Sequence, residues 1–365
     1  MTTAQKLGFD VQLSDHARTA AERERVMESP GFGQVFTDHM ISIDYTEGEG
    51  WHDARLTPYG PLTLDPATSV FHYAQELFEG LKAYRQPSSG AIVSFRPYAN
   101  AARFNASALR MAMPELPEET FVESLELLVQ TDREWVPTTE GHSLYLRPFM
   151  IATQPALGVN YPSRNYRYMV IASPAAAYFG ASKAVSVWLS TEYTRAAPGG
   201  TGFAKCGGNY AAAFVAQRQA VEQGCDQVVW LDANEHRYVE EMGGMNLFFV
   251  YGDRLLTPAL TGTLLPGITR DSILTLAGSL GLTAEEGRIS IEEWQAGCES
   301  GELTEVFACG TAAVVTPVGS VKGADRAWTV GDGTPGPVTR RIREELTGIQ
   351  YGTRPDAHGW VHKIC

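Results

Sequence analysis

The chain has 365 residues, 44% of them hydrophobic and 19% charged, and its 29 Lys+Arg against 42 Asp+Glu give a formal net charge of −13. That apolar content excludes a disordered chain, and the length suits two domains of roughly 150–200 residues. So acidic a surface repels phosphate backbones and anionic lipid, which argues against nucleic acid or a membrane surface as partner.

No run approaches about 18 uninterrupted apolar residues, so no membrane span is expected. The first thirty residues scatter charges from Lys6 to Arg25 and lack the apolar core of a signal peptide. Five cysteines, odd in number and never in CxxC spacing, point to a reduced, cytoplasmic setting.

Residues 1–38 read as an irregular arm with one polar helix around 15–28. Strands are expected at 39–45 and 91–96. Helices follow at 100–113, ended by Pro114, and at 119–135, where Phe121, Leu125 and Leu128 recur at helical spacing. Strand-like runs at 143–152 and 166–172 precede a small-residue, polar stretch at 173–182, which marks a domain boundary. The division is therefore a small N-terminal domain with its arm at 1–173, an interdomain loop at 174–183 and a large domain at 184–365.

In the large domain, strands are expected at 185–194 and 227–232, with a helix at 210–223 stopped by Gly224. A hairpin-like pair spans 237–251, a helix at 271–280 is closed by Gly281, and Ser290 with Glu293 has capping-box spacing before a short helix. Strands and helices interleave without strict alternation, which predicts an α+β fold rather than a doubly wound parallel sheet.

Three signals imitate chemistry. Gly331, Gly333 and Gly336 fit GxGxxG, but too little chain follows to complete a βαβ unit, so a turn is expected. The segment from Gly199 to Cys206 resembles a phosphate-binding loop, yet Cys206 stands where Ser or Thr is required after Lys205. His358, His362 and Cys365 lie too near the end of the chain for a good zinc cage, so no metal site is expected.

Lysine is scarce: Lys6, Lys82, Lys183, Lys205, Lys322 and Lys363 are the whole set. Lys205 alone sits among glycines, which let a planar ligand approach the backbone, and just before a helix whose positive end favours a neutral amine. A surface lysine in a flexible loop is the plain alternative. A cofactor held by a Schiff base also needs an acid at its ring nitrogen and a phosphate site. Only one of Glu240 and Glu241 can face a given ligand along a strand, and Gly243 and Gly244 thin the wall beside Glu241; Glu240 suits a solvated strand edge. The Pro266-Gly267 turn at a helix N-terminus suits a dianion, with capping by Asp271 or Ser272 as the alternative. The small-residue turn after Gly310 could present N–H groups similarly.

Seven segments carry a resemblance: FTDHM at 36–40, HYAQELFEGLKAYR at 72–85, LYLRP at 144–148, GGTGFAKCGGNY at 199–210, EEMGGMN at 240–246, LPGITRDS at 265–272 and EVFACGTAA at 305–313. From about Gly31 onward the chain closely resembles the branched-chain amino acid aminotransferases of class IV. These are two-domain, fold-type IV enzymes with pyridoxal 5′-phosphate between the domains. The resemblance implies that Lys205 carries the cofactor covalently, that Glu241 holds the pyridine nitrogen and that Tyr210 bonds the ring's phenolic oxygen. It assigns the phosphate to Arg103, Gly267, Ile268, Thr269, Gly310 and Thr311.

For substrate, it places Tyr73, Tyr145 and Arg147 near carboxylates and the backbone of Thr311 and Ala312 on the α-carboxylate. Phe32, Phe78, Tyr145 and Val159 form the apolar pocket, with Val159 from a neighbouring subunit. It further implies ping-pong transfer between leucine, isoleucine or valine and 2-oxoglutarate, small-molecule amino acids and 2-oxo acids as partners, and a homodimer with shared active sites. A D-amino-acid transaminase, an aminodeoxychorismate-lyase-like enzyme and a non-catalytic cofactor carrier are the rival readings. Two departures stand out: Ala313 and Thr316 occupy the positions of a CxxC found in mammalian members, and Gly244 stands where a threonine is common.

Overall fold

The structure, a computed structural model, describes residues 7–176 and 183–365. Part of the expected interdomain loop, residues 177–182, lies outside the described residues, as do residues 1–6 of the arm. The chain divides into two compact units. The first gathers the described N-terminal residues up to 176 with residues 204–207 and 348–365; the second holds the described residues to 203 and then 208–347. The division is thus not a single cut, because two segments expected in the large domain pack with the first unit.

The first unit is built on a nine-stranded sheet. In spatial order it runs Asp10–Val11, Gly50–Pro58, His39–Thr46, Asn165–Ala175, Ser143–Ala152, Leu81–Arg85, Ile92–Phe95 and Val361–Lys363, with Glu76–Phe78 also paired to Ser143–Ala152. All pairs are antiparallel except that of Asp10–Val11 with Gly50–Pro58. The helices Pro97–Arg110 and Glu118–Thr131 complete the core, and Phe104, Phe121, Leu125 and Leu128 are buried with Ile41, Ile43, Leu144, Leu146 and Tyr168. Because side chains alternate along a strand, burial of Leu144 and Leu146 on one face sends Tyr145 and Arg147 to the other.

In the second unit, six strands close on themselves: Val239–Met242, Gln227–Leu231, Val185–Ser190, Val314–Lys322, Glu305–Gly310 and Met245–Tyr251, the last pairing again with the first. Parallel and antiparallel pairs mix in this sheet, so it is not a doubly wound parallel one. Closure leaves Val239–Met242 paired on both sides, so it is not the strand edge expected for Glu240. The expected helix at 210–223 is two helices, Gly207–Ala211 and Phe214–Glu222. The helix expected at 271–280 starts earlier, at Ile268, and ends as a 3₁₀ turn. The Ser290 capping box forms as its spacing predicts.

The Gly331–Gly336 segment is a turn. The helix after it, Pro337–Gln350, receives Glu305 at its N-terminus: the carboxylate accepts from the Val338 N–H at 3.0 Å and the Thr339 N–H at 2.8 Å. A protein carboxylate thus occupies the place where a dinucleotide's phosphates would bind. Near the C-terminus, His362 pairs with Glu126 at 2.6 Å and His358 stacks on Trp360. No described helix is long and apolar enough to cross a membrane.

Candidate active site

In the first unit the candidate residues converge on the strand Glu76–Phe78. Lys205 Nζ lies 5.0 Å from the centre of the Phe78 ring, and the Arg147 guanidinium lies 4.7 Å from the same ring. Arg147 also donates to the Tyr145 hydroxyl at 3.1 Å, and Phe32 meets the Tyr145 ring edge-on with centroids 4.8 Å apart. Lys205, Phe78, Arg147, Tyr145 and Phe32 therefore form one group. Among the described residues the Arg147 Nε is buried without a hydrogen-bond partner, a polar atom suited to an incoming carboxylate.

Arg103, on the helix Pro97–Arg110, grips Glu79 in two bonds, from Nε at 2.7 Å and Nη2 at 2.9 Å. Glu79 is fully buried and also accepts from Asn100 at 2.7 Å. Burial pushes its carboxyl up, but the Arg103 charge and hydrogen bonds, followed by the Lys205 charge, outweigh it and hold Glu79 below the usual carboxylate range. Glu79→Gln leaves Arg103 a buried cation with a neutral partner and should lower stability at pH 7 by about 3 kcal/mol, read from urea midpoints. Because the folded pKa is depressed, the Glu79 contribution is complete above the ordinary carboxylate pKa of about 4.3 and is lost as pH falls through the folded value. The gap between wild type and Glu79→Gln should therefore narrow below about pH 4.

Tyr73 and Val159 sit elsewhere in the first unit, lining a cavity of about 410 Å³. The Tyr73 hydroxyl donates to the Leu157 carbonyl at 2.6 Å, and Val159 is 70% exposed.

In the second unit Glu241 is 2% exposed and held at both oxygens. Oε1 accepts from the Leu265 N–H at 2.7 Å and from Asn246 at 3.4 Å, while Oε2 pairs with Arg195 Nε at 3.2 Å. Arg195 in turn donates to the carbonyls of Gly202 and Thr263, at 3.1 and 2.6 Å, fastening the glycine loop to Glu241. Glu240 is buried on the opposite face, with the Thr263 hydroxyl donating to it at 2.5 Å. Burial pushes its carboxyl up despite Thr263 and Arg195, so it is no solvated edge residue.

Two turns suited to a phosphate flank this carboxylate's sheet. Gly267 is the N-cap of Ile268–Ala277 and, as glycine, supplies no side-chain cap of its own; the Ser272 hydroxyl bonds the Ile268 carbonyl. A side chain at Gly267 would overlap the amide of Asn246, itself cross-strand partner of Glu241. The other turn, Thr311–Ala313, joins Glu305–Gly310 to Val314–Lys322 and ends on Val314 at φ 60°, a costly left-handed conformation for a β-branched residue. Tyr210, on Gly207–Ala211, packs where a Cβ on Gly244 would touch its ring.

The first unit offers a primary amine at Lys205 and a buried guanidinium at Arg147, the second a buried carboxylate at Glu241 and a helix N-terminus opened by Gly267; by type, these donors fit pyridoxal 5′-phosphate and an amino acid. Spacing alone did not reveal Glu76, Glu79, Ser107, Arg195 or Asn246. The one available signal was the pair of acids, Glu76 and Glu79, bracketing the apolar Leu77 and Phe78.

The sequence profile of the family Amino-transferase class IV matches residues 76–321. A branched-chain-amino-acid aminotransferase of Mycolicibacterium smegmatis is 61% identical over 364 residues, covering 98% of this chain and 98% of the relative. The solved branched-chain amino acid aminotransferase of Escherichia coli superposes with a TM-score of 0.73 at 30% identity, over 88% of this chain and 99% of the other. Another solved enzyme of the same name, from T.th. and with pyridoxamine 5′-phosphate, gives 0.72 at 30% identity, over 88% and 98%.

Proposed function

Because the chain belongs to the class IV aminotransferases, we propose that it is a pyridoxal 5′-phosphate-dependent branched-chain-amino-acid aminotransferase, exchanging the amino group of L-leucine, L-isoleucine or L-valine with 2-oxoglutarate. The observation that carries this reading is the grouping of Lys205 with the Phe78 ring and with Arg147, whose buried Nε lacks a partner among the described residues. It sets an amine beside an apolar wall and a carboxylate receptor, as a substrate with a greasy side chain and an α-carboxylate demands.

When bound, the cofactor supplies an electron sink that weakens the Cα–H bond of an amino acid. Lys205 would hold it covalently, and its Nζ would carry the proton between the substrate's Cα and the cofactor's C4′. Glu241, kept in place by Arg195 and Leu265, holds the proton on the ring nitrogen. Tyr210 bonds the ring's phenolic oxygen. Arg103 and the turns at Gly267, Ile268, Thr269, Gly310 and Thr311 receive the phosphate. Arg147, Tyr145 and the backbone of Thr311 and Ala312 orient carboxylates, and Phe32, Phe78 and Tyr145 exclude water around the side chain; Tyr73 and Val159, which line a separate cavity, join these two tasks on the family resemblance alone. Val159, exposed in a single chain, serves the other copy of a cytoplasmic homodimer. The branched 2-oxo acid leaves before 2-oxoglutarate enters, and glutamate is the second product.

Initial rates with L-leucine, L-isoleucine, L-valine, D-alanine and aminodeoxychorismate test this reading. With 2-oxoglutarate as acceptor, each branched L-amino acid should exceed D-alanine in kcat/KM by at least about 100-fold. Preference for D-alanine, or release of product from aminodeoxychorismate alone, overturns it.

A further inference from the structure

Residues 204–207 belong to the first unit although the chain on either side belongs to the second. Polar contacts fasten them there, three of which involve Ser107, Phe78 and Glu76. The Lys205 N–H donates to the Ser107 hydroxyl at 3.0 Å, the Phe78 N–H donates to the Lys205 carbonyl at 2.9 Å, and the Gly207 N–H donates to Glu76 Oε1. Ser107 is 1% exposed and follows Arg103 by one helical turn. A side chain at Gly207 would overlap the Glu76 carboxylate, so glycine is needed there for close approach. The resemblance and the comparisons give neither Glu76 nor Ser107 a role.

We propose that Glu76 and Ser107 are positioning residues for Lys205. They grip the main-chain N–H groups of residues 205 and 207, and so fix the point from which the lysine amine reaches its reaction partner. The proposal rests on the reading of Lys205 as the reactive amine. An amine on a four-carbon stem is delivered accurately only if its Cα is fixed, and small misplacements cost large factors in rate. Phe78 strengthens the grip, since its N–H takes the Lys205 carbonyl while its ring lies under the amine. The acceptor oxygen of Glu76, rather than its charge, is what the segment uses. Burial raises its carboxyl pKa in spite of the Gly207 N–H and the Arg147 charge.

The test compares Glu76→Ala, Glu76→Gln and Ser107→Ala as cofactor-loaded enzymes, by hydrogen exchange resolved to the amides of residues 205 and 207 and by steady-state kinetics. Glu76→Ala should speed exchange at residue 207 about tenfold or more and lower kcat by at least about tenfold, with the KM for L-leucine moving less than about threefold. Glu76→Gln keeps an acceptor oxygen and should hold both quantities within about threefold of wild type. Ser107→Ala, which deletes one hydroxyl, should speed exchange at residue 205 and lower kcat by about threefold to tenfold, and stands in should Glu76→Ala fail to fold. The proposal falls if exchange stays slow in the alanine variants, if kcat is kept despite fast exchange, or if Glu76→Gln loses as much as Glu76→Ala. Turnover surviving in Lys205→Ala would instead sink the reading of Lys205 and leave the exchange result standing.

Discussion

A Lys205→Ala variant should turn over L-leucine at least about 10⁴-fold more slowly than wild type, even at saturating pyridoxal 5′-phosphate. The surroundings of Lys205 explain why nothing replaces it. Among the described residues, two cations of this region are Arg147, over the Phe78 ring, and Arg103, locked to Glu79. Guanidinium groups stay protonated far above neutral pH, so neither arginine can form the covalent link or accept the Cα proton. Borohydride reduction followed by peptide mass mapping should fix the cofactor's mass on the segment around 205 in the wild type and nowhere in the variant. Retention of more than about 1% of wild-type turnover would place the essential amine elsewhere.

Glu241→Gln should keep the fold while lowering kcat by about 10²–10³-fold, because an amide cannot hold a proton on the ring nitrogen as a carboxylate does. Glu241→Gln leaves Arg195 a buried cation with a neutral partner and should cost some stability, and Glu241→Ala should cost more. Arg195, 7% exposed at its side chain, would remain as a buried cation without its carboxylate, a loss of about 3–5 kcal/mol read from urea midpoints. The two variants together separate the chemical role of the carboxylate from its part in holding the glycine loop through Arg195. Covalent trapping at Lys205 should survive in Glu241→Gln. A Gln variant with wild-type kcat would remove Glu241 from the reaction.

Local patterning foretold elements whose causes are local. The apolar period of Phe121, Leu125 and Leu128 and the Ser290 box both took the expected form. Gly331–Gly336 stayed a turn for want of a following βαβ unit. Glu240 was misread because alternation says which residues share a face but not whether that face is covered; closure of the six-stranded ring decided it. Glu79, Ser107 and Arg195 were invisible for a related reason. Each meets its partner across a long stretch of chain, 24 residues for Arg103 with Glu79 and 98 for Lys205 with Ser107. Arg103 enters the expected site only through the family resemblance. Nor does composition announce that a valine at 314 will adopt a positive φ.

The first unit draws strand Val361–Lys363 onto Ile92–Phe95 and sets Tyr351 against Tyr84. A nascent chain leaving the ribosome therefore cannot finish this unit when residue 176 emerges. It must wait, with Ile92–Phe95 an open sheet edge, until residues 348–365 have been made. A fragment cut near residue 176 would carry the same raw border and self-associate, so this half is not obtained by truncation but only from the whole polypeptide.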